Sequence, residues 1–410
     1  MASIAVIGTL DTKGAEIAFV RDEIAARGHR TILIDAGVLG SPAVPADISR
    51  AEVARAAGAD LPSLAAANDR GSAVATMAHG VRAVVLDLRD RGSLDGVIGI
   101  GGSAGTSIAT AAMRALPLGI PKVMVSTLAS GDTRGFVGVS DITMMPAVVD
   151  ISGLNRISRG VFVRAAAAVC AMTDARVPDA ATDKPLIAAS MFGNTTQCVE
   201  AARAVLERAG FEVLVFHATG NGGQAMEHLI DSGQITGVLD VTTTEWADEL
   251  AGGVMSAGPD RLGAAARTGT PAVVAPGCLD MVNFWALETV PEKYRDRRLY
   301  KHNANVTLMR TTPEESATLG RTIAERVNAS TGPVAVYLPL RGISVVSAEG
   351  GPFHWPEADA ALFGALRSHL RSGIEVHELD TTINDPAFAH AMAQGLLDLV
   401  AAARPSARRA

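Results

Sequence analysis

The sequence predicts an α/β protein of two domains, each a mainly parallel sheet flanked by helices, with a cleft between them. Three observations carry this. The first is the stretch Ile4 to Gly37. A short apolar run (Ile4–Ile7) leads into the polar turn GTLDTKG, then an amphipathic segment carrying Ile17, Val20 and Ile24 that closes at Gly28. A second apolar run, Ile32–Ile34, ends on Asp35, which completes a strand–turn–helix–strand unit. The second observation is recurrence. Laid over the segment that begins at Leu186, the unit aligns without a gap, Gly28 on Gly210, Arg21 on Arg203, Ala36 on Ala218 and Asp35 on His217. The third is length: 410 residues suffice for two domains that each bury a core.

In order along the chain, the Gly- and Pro-containing stretch after Asp35, AGVLGSPAVPADISRAE, reads as a long irregular connection. Ser72–Arg89 reads as a helix, Asp95–Ile100 as a buried strand running into GGSAGTS, and Thr106–Ala115 as the next helix. Pro121 opens the strand KVMVST, VSDITMMP holds another short strand, and Ile157–Met172 is an Ala-rich helix. The polar stretch Thr173–Lys184 separates domains at residues 1–178 and 185–404. The second half reads as strands at Leu186–Ser190, Glu212–Phe216, Gly237–Val241, Pro271–Ala275, Val334–Leu338 and Glu375–Leu379, with a closing helix near Ala387–Ala402 and a mobile RPSARRA tail. Capping-box spacing at Asn194/Gln197, Thr242/Glu245 and Thr312/Glu315 predicts three helix starts, the last reinforced by Pro313.

Composition excludes several functions. A net charge of −7 without a long basic run argues against nucleic acid as a bulk electrostatic partner, and 4% aromatics leave no base-stacking platform. Three scattered cysteines without a CxxC pair speak against a disulfide framework or structural zinc and suit a reducing cytoplasm. No apolar stretch reaches the roughly 20 residues that span a bilayer.

The sharpest local signal is Gly99–Ser107, GIGGSAGTS. Its glycines allow close backbone approach, and the helix beyond offers unpaired N–H groups and partial positive charge to a phosphate or carboxylate. The bland alternative is a tight strand–helix turn. GxxxxGK[ST] is absent, and although Gly99–Ala104 satisfies GxGxxA, the next strand ends Val125-Ser126 without the expected ribose-binding acid. In GTLDTKG (Gly8–Gly14), Lys13 suits a phosphate and Asp11 suits magnesium, or Asp11 or Thr12 simply caps the helix. Asp35 ends a strand where acids bond ribose hydroxyls, or is a solvated strand-end acid. The loop Ser126–Asp141 crowds Asp132, Arg134 and Asp141 together, with Arg134 shaped for a phosphate fork. In the second half His217, Glu245, Cys278, Asp280, His302 and Asn303 follow strands or lie in irregular segments, where a His, an acid and a Cys could form a nucleophile or metal site, or each could be structural.

GTLDTKG, STLASGDT, MPAVVDISGLN, SMFGNTT, FHATGNGG, PGCLDMVNF and HNANVTLMRTT together resemble the Tm-one-like ATP-binding domain family, found at the front of the tomato mosaic virus resistance protein and as stand-alone bacterial proteins. The similarity runs from Ser3 to about Ala402. It implies two Rossmann-like domains, ATP with magnesium in the first, a homodimer, and a separate TIM-barrel protein as partner. Carried over by motif, the nucleotide would meet Gly8, Thr9, Asp11, Thr12, Lys13, Asp35, Gly101, Gly102, Ser103, Gly105, Thr106, Ser130, Gly131 and Asp132, with Asp11 on the metal. The expected function is an ATP- and magnesium-dependent enzyme of small-molecule metabolism. Lys13 would offset phosphoryl charge, and a small anionic metabolite would lie near His217, Cys278 and His302. The rivals are an ATP-regulated binding module without turnover and a nucleotide-independent hydrolase or lyase.

Overall fold

The computed structural model describes residues 1–176 and 183–403. The chain divides into two compact units, Met1–Asp179 and Ala180–Ala410. The predicted tail at 404–410 and the middle of the predicted linker lie outside the described residues.

Unit 1 runs β1 (Ser3–Gly8), α1 (Leu10–Ala25), β2 (Arg30–Asp35), α2 (Arg50–Ala56), α3 (Leu61–Ala67), α4 (Arg70–Asp90), β3 (Gly96–Gly101), α5 (Ser103–Ala115), β4 (Lys122–Ser126), α6 (Arg134–Val137), β5 (Thr143–Pro146) and α7 (Arg156–Asp174). The five strands form one parallel sheet in the order β2-β1-β3-β4-β5. Alternation along β1 explains the two layers: Ala5 and Ile7 pack with Val53, Met77, Val81 and Ile108 on one face. Ile4 and Val6 pack with Ile17, Val20, Val161 and Phe162 on the other. The helices after β1 and β3 therefore leave on opposite faces, and the crevice between those strand ends is the switch point where open parallel sheets bind ligands.

The stretch expected to be irregular after Asp35 is so through Ser49; α2 begins at its end, and α3 follows in a segment for which the sequence predicts no element. Both are set by caps that the loop-like composition conceals. Ser49 and Glu52 form a reciprocal capping box, and the Asp60 carboxylate accepts from Ser63 N–H with Pro62 in the first turn.

Unit 2 runs β6 (Leu186–Met191), α8 (Thr196–Arg208), β7 (Glu212–His217), α9 (Asn221–Asp231), β8 (Ile235–Thr242), α10 (Glu245–Ala251), α11 (Ala264–Thr268), β9 (Ala272–Gly277), β10 (Met281–Phe284), β11 (Leu299–Lys301), β12 (Thr307–Arg310), α12 (Pro313–Asn328), β13 (Val334–Pro339), α13 (Pro356–His369), β14 (Glu375–Leu379) and α14 (Pro386–Ala403). Six strands make a second parallel sheet, β14-β13-β9-β8-β6-β7, whose first four strands in chain order repeat the arrangement of unit 1. An antiparallel ribbon, β10-β12-β11, is inserted after β9.

Of the three expected capping boxes, only Thr312/Glu315 forms. At the other two, the would-be cap residues bond elsewhere, Asn194 Nδ2 donating to Met281 Sδ at 3.7 Å. The Thr195 and Thr242 hydroxyls meet at 2.7 Å, and Glu245 is drawn to Arg261 at 2.6 Å. Those helices start instead at Thr196 and Glu245.

Candidate functional site

A cavity of about 710 Å³ opens at the C-terminal edge of the unit 1 sheet, at the β1/β3 switch point. Segments after β1, β2, β3 and β4 all reach it, through Thr9–Lys13, Ala36–Leu39, Gly101–Gly105 and Thr127. Its volume falls in the range of small-molecule sites, about 300–1,000 Å³.

The β3–α5 turn forms the floor. The first bond within α5 is from Thr106 N–H to the Gly102 carbonyl at 2.8 Å, and no side chain caps the helix. The amides of Ser103, Ala104 and Gly105 therefore point out of the helix with its positive dipole end behind them. Glycine is needed at 101, where a Cβ would lie 2.7 Å from the Gly105 Cα. Gly102 differs: its φ of −81° suits any residue, and a Cβ there would meet nothing closer than the Thr127 hydroxyl at 3.7 Å. Below the turn, Thr106 is fully buried and shares a 2.7 Å hydrogen bond with Ser126.

Asp35 organises this edge without lining it. It is 1% exposed; its Oδ1 accepts from the Leu10 N–H at 3.1 Å and the Gly37 N–H at 2.9 Å, and its Oδ2 accepts from Arg50 Nε at 2.7 Å. Both oxygens are spent on tying the cavity segments after β1 and β2 to each other and to Arg50 of α2, so the ribose-binding role expected of Asp35 is replaced by a positioning one. Arg50 extends the clamp to the Leu39 and Gly40 carbonyls, and Asp11 Oδ2 accepts from the Leu39 N–H at 2.9 Å. Asp11 lines the cavity, and its Oδ1 is buried without a hydrogen-bond partner. Lys13 also lines it, its ammonium tied to the Ile151 carbonyl. Thr9 and Thr12 share a 2.7 Å hydroxyl bond at the rim.

The structure thus brings Thr9, Asp11, Thr12, Lys13, Gly101, Gly102, Ser103 and Gly105 to one cavity. It does not bring Gly8, Thr106, Ser130, Gly131 or Asp132 to its wall. Gly8 is packed under Ile17, Thr106 is buried beneath the turn, and Ser130, Gly131 and Asp132 lie on an exposed loop. There Arg134 grips Asp132 at 2.6 Å and holds its carboxyl down at about 2, so the expected phosphate fork is already occupied. Asp141 is likewise structural, accepting from buried Lys122 at 2.5 Å and from the Gly119 N–H at 2.9 Å. Sequence reasoning missed the remaining wall, built from Leu64 and Ala65 of α3, the turn Asn68–Asp69, Arg70, Ala73, Val74 and Met77 of α4, Ile108 of α5 and Asp150 after β5. The legible signal was Asp69, whose carboxylate caps α4 through Gly71 and Ser72.

In unit 2 the expected catalytic set does not assemble. Cys278 is fully buried among Met281, Leu308, Val346 and Phe353, and burial pushes its thiol well above the ordinary cysteine value. That removes the nucleophile, because the thiolate is the reactive form. His217 sits exposed at the end of edge strand β7 against Phe192, and His302 is exposed in the β11–β12 turn against Tyr300. No hydrogen bond or ring contact joins the three among the described residues. All three cysteines are buried. A thiol reagent such as Ellman's should therefore label none of them in the folded protein and all of them in denaturant.

Glu245 and Asp280 instead belong to buried networks. Arg261, 1% exposed, holds Asp240 with both terminal nitrogens at 2.6 and 2.7 Å, Glu245 at 2.6 Å and Glu227 at 3.1 Å. Asp280 accepts from Ser344 at 2.8 Å through one oxygen, and its other oxygen is buried without a partner. Burial raises Asp280 to about 6 and Asp248 to about 7. The fold therefore binds these protons more tightly than the unfolded chain does. Its stability should fall as pH rises from about 4 through 6–7, where each buried carboxylate ionises. Asp280→Asn should raise stability at pH 8 by about 1–3 kcal/mol and flatten that slope, read from urea midpoints at pH 5.5 and 8.

Among the described residues, no group of three or more His, Cys, Asp or Glu could hold a metal ion, and no helix is long and apolar enough to cross a membrane. Two family models cover nearly the whole chain: the N-terminal domain of the uncharacterised protein family UPF0261 matches residues 2–178, and its C-terminal domain matches residues 184–400.

The chain belongs to the UPF0261 family.

A UPF0261 protein of Clostridium tetani is 51% identical over 97% of this chain and 98% of its own length. Another, from Rhizobium meliloti, is 50% identical over 97% and 99%. The family extends to tomato, as the blocks from GTLDTKG to HNANVTLMRTT implied. The ToMV resistance protein Tm-1(GCR237) of Solanum lycopersicum is 42% identical over 81% of this chain and 45% of its own length. Among solved structures, a putative UDP-N-acetylglucosamine 2-epimerase from Listeria monocytogenes overlaps 66% of this chain and 78% of its own at 11% identity, with a TM-score of 0.22, too slight to bear on ligand or chemistry.

Proposed function

We propose that this UPF0261 chain is a nucleotide-binding protein whose first unit takes ATP in the switch-point cavity. The observation that carries the reading is the floor of that cavity: three outward amides of α5, laid open by Gly101 and Gly102 beneath some 710 Å³ of space. Such a floor suits a polyphosphate, which needs several N–H donors at once and gains from the helix dipole. Magnesium fits in a limited way. The phosphates would supply most of its ligands, and the cavity carboxylates Asp11, whose Oδ1 is unpartnered, and Asp150 are the protein groups that would join them.

The geometry favours binding over a nucleophile-driven reaction. Cys278 is sealed in a core, and Lys13 is already held by a backbone carbonyl. ATP-dependent ordering of the cavity walls, with or without slow turnover, is the activity supported best. Titration calorimetry of the full chain with MgATP, tripolyphosphate and adenosine tests it. MgATP and tripolyphosphate should bind at one stoichiometric site and compete with each other. Absence of heat and of competition with both would overturn the reading, and ADP release would separate turnover from binding.

A further inference from the structure

The cavity has a second polar end that the phosphate floor leaves unused. Arg70, Ala73, Val74 and Met77 line it at the i, i+3, i+4, i+7 spacing of one helical face. At about 1.5 Å per residue that stripe runs roughly 10 Å along α4. Met77 is fully buried at the deep end, packed in the core with Ile34 and Ile108, and Arg70 is exposed at the outer end. Between them the α4 wall is only Ala and Val, and α3 adds Leu64 and Ala65. Polarity returns at the α3–α4 turn. Asn68 closes α3 in the left-handed region, at φ 48° and ψ 28°, and lines the cavity with a carboxamide that bonds to none of the described residues. Arg70 has no partner among them either, whereas Asp69 between the two is spent on capping α4 at 3.0 and 3.1 Å.

An apolar slot ending in one free carboxamide matches a heterocyclic base, which has apolar faces and a polar edge. A carboxamide presents a donor and an acceptor side by side, the complement of adenine's amino group and adjacent ring nitrogen. We infer that the α3–α4 turn is the base-selecting element of the site, Asn68 pairing with the adenine edge and the Arg70 guanidinium plane covering the base. The inference rests on the nucleotide reading above and adds the residue that distinguishes adenine from guanine.

Two substitutions test it by calorimetry with ATP, GTP and base-free tripolyphosphate. Asn68→Asp leaves only acceptors, which suit guanine's N–H edge, so the ATP-over-GTP preference should fall by about tenfold or more. Asn68→Gly keeps the left-handed backbone and removes the amide. It should weaken ATP by about tenfold while leaving tripolyphosphate unchanged, and it decides the matter if the Asp variant fails to fold. Arg70→Ala should weaken ATP and GTP alike without lowering the melting temperature, because a cation in the first turn opposes the helix dipole. If both Asn68 variants keep the parent ATP/GTP ratio while tripolyphosphate still binds, base selection by this turn is wrong and the phosphate floor stands. If the parent protein binds none of the three ligands, the nucleotide reading fails and this inference with it.

Discussion

Gly102→Asp should abolish MgATP binding and leave the protein at least as stable as its parent. The two effects part because of where Gly102 sits. It is the N-cap of α5, with backbone angles open to any residue and free space beyond its Cα. Aspartate is among the preferred N-cap residues, so helix stability should hold or rise by a few tenths of a kcal/mol. The same carboxylate would take the amides a phosphate needs and set a negative charge beside it. Like-charge juxtaposition costs several kcal/mol, so affinity should drop about 100-fold or more by calorimetry. Gly101→Ala makes the contrast, since its Cβ would press on the Gly105 backbone at 2.7 Å and damage fold and site together. A Gly102→Asp protein that melts normally and binds MgATP with parental affinity would remove α5 from the account.

Arg261→Leu should produce the largest loss of stability in unit 2. One guanidinium there holds Asp240, Glu245 and Glu227, and the same acids anchor neighbouring backbone: Glu245 accepts from the Gly220 and Gly223 N–H at 2.8 and 3.0 Å, and Glu227 accepts from the Leu262 and Ala264 N–H, both at 2.7 Å. Removing the cation strands three carboxylates in a low-dielectric interior, which costs about 3–5 kcal/mol against a typical total of about 5–15. Arg261→Lys should recover only part, because an ammonium cannot grip Asp240 with two parallel bonds. The three tryptophans, Trp246, Trp285 and Trp355, all lie in unit 2, so urea unfolding followed by their fluorescence reads this unit alone. A change below about 1 kcal/mol would mean that the network contributes little to stability.

The parts of the site legible in the sequence were those written in local chemistry. GTLDTKG and GIGGSAGTS sit between an apolar strand and an amphipathic helix, and backbone rules alone send their amides to the sheet edge. The parts that were not legible depend on long-range contacts. Asp35 reads as a free strand-end acid until Arg50, Leu10 and Gly37 are seen to consume both its oxygens. Thr242 and Glu245 have the spacing of a capping box, yet tertiary hydrogen bonds to Thr195 and Arg261 take both side chains. Cys278 follows a strand, the place of a catalytic thiol, and is covered by Met281 and Leu308 of the β10–β12 insertion together with Val346 and Phe353 from beyond β13. Asn68 and Arg70 gave no signal because their meaning comes from the apolar wall beside them, which a stretch rich in Ala, Gly and Pro conceals.

The most direct measurement is a crystal of the full chain grown with magnesium and a non-hydrolysable ATP analogue. The account predicts phosphate oxygens within hydrogen-bond distance of the Ser103, Ala104 and Gly105 amides and the adenine against α4. A nucleotide bound elsewhere, or this cavity empty at saturating analogue, would contradict it.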